Sequence, residues 1–212
     1  MKLNRYLKTT FGVIAAAFAL ITATASQAAT FHVSIDTSTL LTSPASASGP
    51  FYLDFQLNGG STLSNTATIS NFNFGGGSLS AGTDVAIGQT SGTLASTITL
   101  ITDPSNTFNE FYQRFTAGST LNFDVTHTTN ANVPVSDLFL FTILDSNFAN
   151  ISTNGFANSL VTLDINSVVP VAQAFNGTGD FSGVTAAVPE PSRALLLAVG
   201  VGVAALRRRR RA

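Results

Sequence analysis

The chain has no cysteine and no tryptophan, and its 212 residues include a single methionine. Without cysteine there can be no disulfide framework and no zinc site built on thiolates. Stability must come from an ordinary hydrophobic core. Basic residues are also scarce. Of the ten Lys and Arg, Lys2, Arg5 and Lys8 lie near the N-terminus, and Arg193 and the run 207–211 lie at the C-terminus. Between residues 29 and 191 there is no lysine and one arginine, Arg114, against all eleven Asp and Glu. One positive charge against eleven negative leaves that segment at −10. Such a charge argues against nucleic acid or anionic lipid as a partner. It permits calcium or a cationic polymer, and by default it serves solubility.

The common catalytic signatures are missing as well. There is no G-x-S-x-G elbow, no H-E-x-x-H, no Walker A sequence and no dinucleotide-binding glycine pattern. The run Gly75, Gly76, Gly77 sits among strand-like sequence with no helix or lysine after it, and reads as a turn. The two histidines, His32 and His127, are far apart and show no H-x-H spacing, so they make a weak metal site. Both are expected on wet-face or edge positions of strands. No D-x-D-x-D-G loop supports calcium. The expectation is a protein without cofactor, metal or catalytic role.

What is present is concentrated at the two ends. Residues 1–28 have the parts of a secretory signal peptide: a basic start, an apolar stretch from Phe11 to Ile21, and the small residues Ser26 and Ala28 at −3 and −1. Cleavage is expected after Ala28. At the other end, Pro189, Glu190 and Pro191 precede an apolar run over 194–206, which ends in Arg207, Arg208, Arg209, Arg210 and Arg211. Each proline fixes its own φ and disfavours helix in the residue before it, so this strip is stiff and extended. As a helix the apolar run would be roughly 20 Å long at about 1.5 Å per residue. A bilayer core is about 30 Å thick, so a span needs local thinning and arginines reaching to both surfaces. Arginines flanking a span stay on the cytoplasmic side, which would leave everything before residue 194 outside. A free nucleic-acid-binding tail would not need the apolar run.

A Pro-Glu-Pro triplet, a short apolar helix and a terminal arginine cluster, in that order at the C-terminus, resemble the PEP-CTERM sorting signal. Pro189, Glu190 and Pro191 match the motif one by one, and Arg193 between motif and helix departs from it. The resemblance implies export from a Gram-negative bacterium that makes extracellular polysaccharide. It also implies the secretion machinery and an exosortase as partners. The tail would then be inserted in the membrane transiently, before the mature protein reaches the cell surface or the extracellular matrix of a biofilm.

The body, residues 29–183, is a string of strands. Phe31, Val33 and Ile35 alternate with polar residues, as do Phe51, Leu53, Phe55 and Leu57. The same holds for Leu121, Phe123 and Val125 and for Val161, Leu163 and Ile165. A period of two gives one buried and one wet face. Further strands are expected over 67–74, 92–101 and 138–144, the last apolar on both faces and so central. Phe108, Phe111, Tyr112 and Phe115 fall at helical spacing, yet the strand-rich surroundings favour a strand or an irregular aromatic strip. These features predict an all-β, jelly-roll-like antiparallel β-sandwich flanked by a signal helix and a short C-terminal helix. Residues 184–187 read as a linker to the sorting tail, 188–212. The stretches GPFYLDFQLNGG, ATISNFNFGGGSL, FYQRFTAGSTLNFDV and LVTLDI are similar to a group of PEP-CTERM proteins with β-rich bodies, which implies no active site.

Three functions compete. The first is a non-catalytic structural or interaction protein of the surface or matrix, associated with exopolysaccharide. The second is a carbohydrate-binding module using Tyr52, Tyr112 or nearby Phe rings, with Asn and Asp for hydroxyls. The third is a hydrolase using two of Asp36, Asp124 and Asp164, or a calcium site there. Arg114, alone among acids, is expected in an ion pair, with a ligand role as the alternative.

Overall fold

The computed structural model describes residues 29–42, 49–59, 64–128, 137–165 and 171–188. The expected signal peptide with Ala28, the Pro189–Glu190–Pro191 triplet, the apolar run and the arginine cluster lie outside the described residues. The strands are β1 (Ala29–Asp36), β2 (Phe51–Asn58), β3 (Asn65–Asn73), β4 (Ser78–Leu79), β5 (Val85–Ile87), β6 (Thr90–Gly92), β7 (Ile98–Thr102), β8 (Phe108–Thr116), β9 (Thr120–His127), β10 (Leu138–Leu144), β11 (Val161–Asp164), β12 (Ala172–Ala174) and β13 (Thr185–Ala187). They form two antiparallel sheets. The first runs β13-β1-β9-β3-β7-β6, and the second β12-β11-β10-β2-β8-β4, with β5 also on β8.

The alternation read in the sequence sets the inner faces. Phe31, Val33 and Ile35 of β1 are buried, as are Leu121, Phe123 and Val125 of β9 and Leu53, Phe55 and Leu57 of β2. The two sheets meet through aromatic rings. Phe55 of the second sheet lies 5.4 Å edge-on from Phe123 of the first, and Phe141 lies 4.9 Å from both. Burying each of these rings contributes on the order of 2–3 kcal/mol. The glycine run 75–77 is a turn, as expected. A Cβ on Gly77 would sit 2.1 Å from the Thr116 carbonyl oxygen, and Gly75 has φ 55°, so neither position accepts a larger residue.

Three expectations need correction here. Residues 184–187 are no linker: Val184 is fully buried, and β13 pairs with β1 through Asp36↔Thr185 and Ser34↔Ala187. Small alanines left no periodic signal, but an edge strand needs only backbone donors and one buried anchor. The stretch 92–101 is divided, with β6 ending at Gly92 and β7 starting at Ile98. His127 is not on a wet face. It continues the inward phase of Leu121, Phe123 and Val125, is 1 % exposed and stacks on Phe31 at 5.7 Å. Burial pushes its pKa down, so the ring is neutral in the fold.

The helical spacing of Phe108, Phe111, Tyr112 and Phe115 resolves into a strand, β8, whose aromatics divide between two faces. Phe111 and Phe115 enter the core, while Phe108 and Tyr112 stay on the outside. The inward positions between them carry amides. Gln113 donates to the Ser80 carbonyl and accepts from the Leu94 amide, and Asn109 accepts from the Gln89 amide. These bonds tie the long connection between β3 and β8 onto the sheet. At one end of the structure the buried Asp137 accepts from Asn65 Nδ2 at 2.7 Å and Thr102 Oγ1 at 2.9 Å, satisfying a carboxylate that would otherwise be costly to bury.

Candidate functional site

The outer face of the second sheet is the unusual surface. Strand pairing lines up its outward residues in rows. Leu144, Tyr52 and Arg114 form one row across β10, β2 and β8. Thr142, Asp54, Tyr112 and Val85 form the next, and Leu140, Gln56, Glu110 and Ile87 the third. An outward face normally meets water. Here the β10 side of the face is covered, and Leu140, Thr142 and Leu144 are buried. The segment after β10 folds back over them. Thr142 Oγ1 donates to the Asn158 carbonyl at 3.1 Å, and the Ile151 amide donates to the Ile143 carbonyl at 2.9 Å.

That segment presents Phe148. It has φ 60°, in the left-handed region that costs a bulky residue about 1–2 kcal/mol. A tight turn holds it there. The Phe148 amide donates to the Asp145 carbonyl at 3.0 Å, and Asp145 Oδ1 accepts from the amides of Asn147 and Ala149. The result is a phenyl ring that is 55 % exposed, yet 4.7 Å from the Tyr52 ring and 5.8 Å from the Tyr112 ring. Tyr52 and Tyr112 themselves meet edge-on at 6.3 Å. Three aromatic rings thus form one cluster at the surface.

Beside the cluster lies a polar band. Gln56 Nε2 donates to Asp54 Oδ2 at 2.8 Å and to Glu110 Oε1 at 3.1 Å. Asp54 was expected on the wet face, but it is 1 % exposed, and its Oδ1 has no hydrogen-bond partner. Burial pushes its pKa up to about 8, helped by the neighbouring Glu110 carboxyl, with the Gln56 hydrogen bond opposing. At neutral pH Asp54 therefore carries a proton beside Glu110. A buried, protonated carboxyl with one oxygen unsatisfied, in register with Tyr112 of the ring cluster, is the kind of locally unfavourable arrangement that marks functional surfaces.

The other residues singled out in the sequence do not join this site. His32 is 74 % exposed at the side chain on the outer face of the first sheet, with Nδ1 2.5 Å from Asp124 Oδ1. Asn71 Nδ2 donates to the other oxygen of Asp124 at 2.7 Å. Burial works against the Asp124 charge, but the bonds from Asn71 and His32 and the His32 charge prevail and hold its pKa below the usual range. Asp36 accepts from the Ser38 hydroxyl and amide, which lower its pKa. Asp164 stands on β11 in the other sheet. The three aspartates do not converge. Among the described residues no three His, Asp or Glu come together to hold a metal ion.

Arg114 corrects another expectation. It makes no ion pair with any described residue. It is exposed, directly across from Tyr52 and two positions from Tyr112 on the same face. It also borders a cavity of about 320 Å³ lined by Leu40, Pro50, Phe51 and Phe115 among others. Tyr52 and Tyr112 were legible as ring candidates. Phe148, Asp54, Gln56 and Glu110 were not. The available signals were aromatics on both phases of β8 and the apolar residues on both faces of β10, which together announce a second packed surface. No family model, curated protein or solved structure matches this chain.

Proposed function

We propose that this chain is an exported bacterial surface or matrix protein, sorted by its PEP-CTERM tail, whose body binds polysaccharide without cleaving it. The body would be a jelly-roll-like sandwich. This is supported by the connections β1–β2, β2–β3, β7–β8, β8–β9 and β9–β10, each of which passes from one sheet to the other. The observation that carries the binding reading is Phe148. A phenyl group held 55 % exposed at φ 60° sets backbone strain of about 1–2 kcal/mol against ring contacts with Tyr52 and Tyr112 of similar size, so folding alone gains little from it. Exposed rings offer flat apolar faces for the C–H side of a sugar, and Glu110 and Gln56 beside them offer hydrogen bonds to its hydroxyls.

Binding fits better than hydrolysis. Glycosidases hold their two carboxyls about 5–5.5 Å or 6.5–9.5 Å apart, leaving room for the glycosidic bond or a water. Asp54 and Glu110 are drawn together on one amide, Gln56 Nε2, and Asp54 is closed to solvent. The test is glycan-array binding of the full chain and of Phe148→Ala and Tyr112→Ala. Retention of wild-type binding in both variants, or a blank array for the parent, would refute the reading. Sorting is tested separately by deleting residues 189–212. Unchanged surface display would refute it.

A further inference from the structure

The geometry points to an acidic polysaccharide, one bearing carboxylates on its sugar units, as the ligand class of this site, with Arg114 as the group that selects it. The inference rests on the carbohydrate reading above and narrows it. Arg114 is the single basic residue between positions 29 and 191, where eleven acids stand. In such a segment a stray guanidinium would be expected to find a carboxylate, yet among the described residues it has none. Its neighbours instead are the ring cluster, with Tyr52 across the strand and Tyr112 two residues earlier on the same face. A sugar lying on these rings would bring a substituent within reach of the guanidinium fork, which matches a carboxylate bidentately.

The overall acidity limits the class further. A segment at −10 between residues 29 and 191 repels densely charged polymers such as a nucleic-acid duplex. A uronic-acid polymer carries at most one charge per sugar, sparser along its length than a nucleic-acid duplex at about one per 1.7 Å, and only the unit beside Arg114 needs to be paired. Diagonally across the face, Asp54 is uncharged near neutral pH, and exposed Asp84, next to the Thr83 that bonds the Arg114 amide, makes no ion pair with Arg114. Glu110 stands four residues from Arg114, about 13 Å along the strand.

The test compares the full-length protein on polygalacturonate and on the same polymer with its carboxylates chemically reduced to alcohols. Tighter binding to the acidic polymer by about tenfold or more is expected, weakened by salt. Arg114→Gln should abolish that preference and its salt dependence, and Arg114→Lys should restore part of it. Arg114 is exposed, so matched melting curves are expected for all three proteins. Equal affinity of the parent for the two polymers, or a preference that survives Arg114→Gln, overturns the inference. If both polymers bind equally and Tyr112→Ala abolishes both, the carbohydrate reading stands and only the acidic class falls. If neither polymer binds, the acidic class falls, and the glycan array alone decides the carbohydrate reading.

Discussion

Replacing Asp54 by Asn should make the protein more stable, and by an amount that depends on pH in a defined way. The unfolded chain releases the Asp54 proton near 3.8, whereas the folded chain keeps it until about 8. Below 3.8 both states are protonated and the residue costs nothing. As pH rises from about 4 to 8, only the unfolded state gains the charged form, so the folded state falls behind. Above 8 both are ionised and the penalty levels off. At about 1.36 kcal/mol for each pH unit, the penalty is at most about 3 kcal/mol at pH 6 and about 5 kcal/mol at pH 8. Asparagine has the shape of the protonated acid. It can donate to Glu110, accept from Gln56 and never ionises. Chemical denaturation of parent and Asp54→Asn at intervals from pH 4 to pH 9 should give equal stabilities at the acid end. The curves should then part, with the variant ahead by several kcal/mol at pH 8. Parallel curves, or a variant that is weaker at pH 8, would refute the account of a protonated buried acid.

Other outcomes follow from the same structure. Phe148→Gly should relieve the left-handed backbone and change stability by no more than about 1 kcal/mol while removing glycan binding; a large loss of stability with intact binding would show the ring to be structural. Phe141→Ala should destabilise by about 3–5 kcal/mol in denaturant titration, because its ring contacts those of Phe55 and Phe123 between the sheets. His127 has its pKa lowered by burial, so its contribution is present above the ordinary 6.5 and is lost as pH falls below it. His127→Phe should flatten that acid limb, and an unchanged limb would assign the loss to other groups. Ending the chain after Gly183 should lower the melting temperature measurably, since it removes Val184 and β13; a linker would leave it unchanged.

The all-β class was legible because strands buried on one face write their burial into the sequence with a period of two. Phe31, Val33 and Ile35 could be assigned inward from the chain alone, and β10 could be placed centrally from its apolar residues on both faces. β13 was not legible, since Ala186 and Ala187 carry no pattern and their place depends on an edge that β1 leaves open. The candidate site was legible only in its tyrosines. Asp54 reads as a wet-face residue in any one-strand view, and it becomes buried because the segment after β10 covers that part of the face.

The sequence by itself determined the inventory: one cation in an acidic body, no thiols, inward phases for the long strands, and two termini that resemble export and sorting signals. These are properties of composition and near neighbours, which a linear chain expresses directly. The tertiary structure decided the juxtapositions. Phe148 reaches Tyr52 from nearly a hundred residues away, and Asp54, Gln56 and Glu110 share one amide across two strands. Among the described residues Arg114 has no ion pair and stands beside rings, despite ten acids in the body. Each of these rests on strand register and on a turn that closes over a face. Both arise from long-range pairing, which no local pattern encodes.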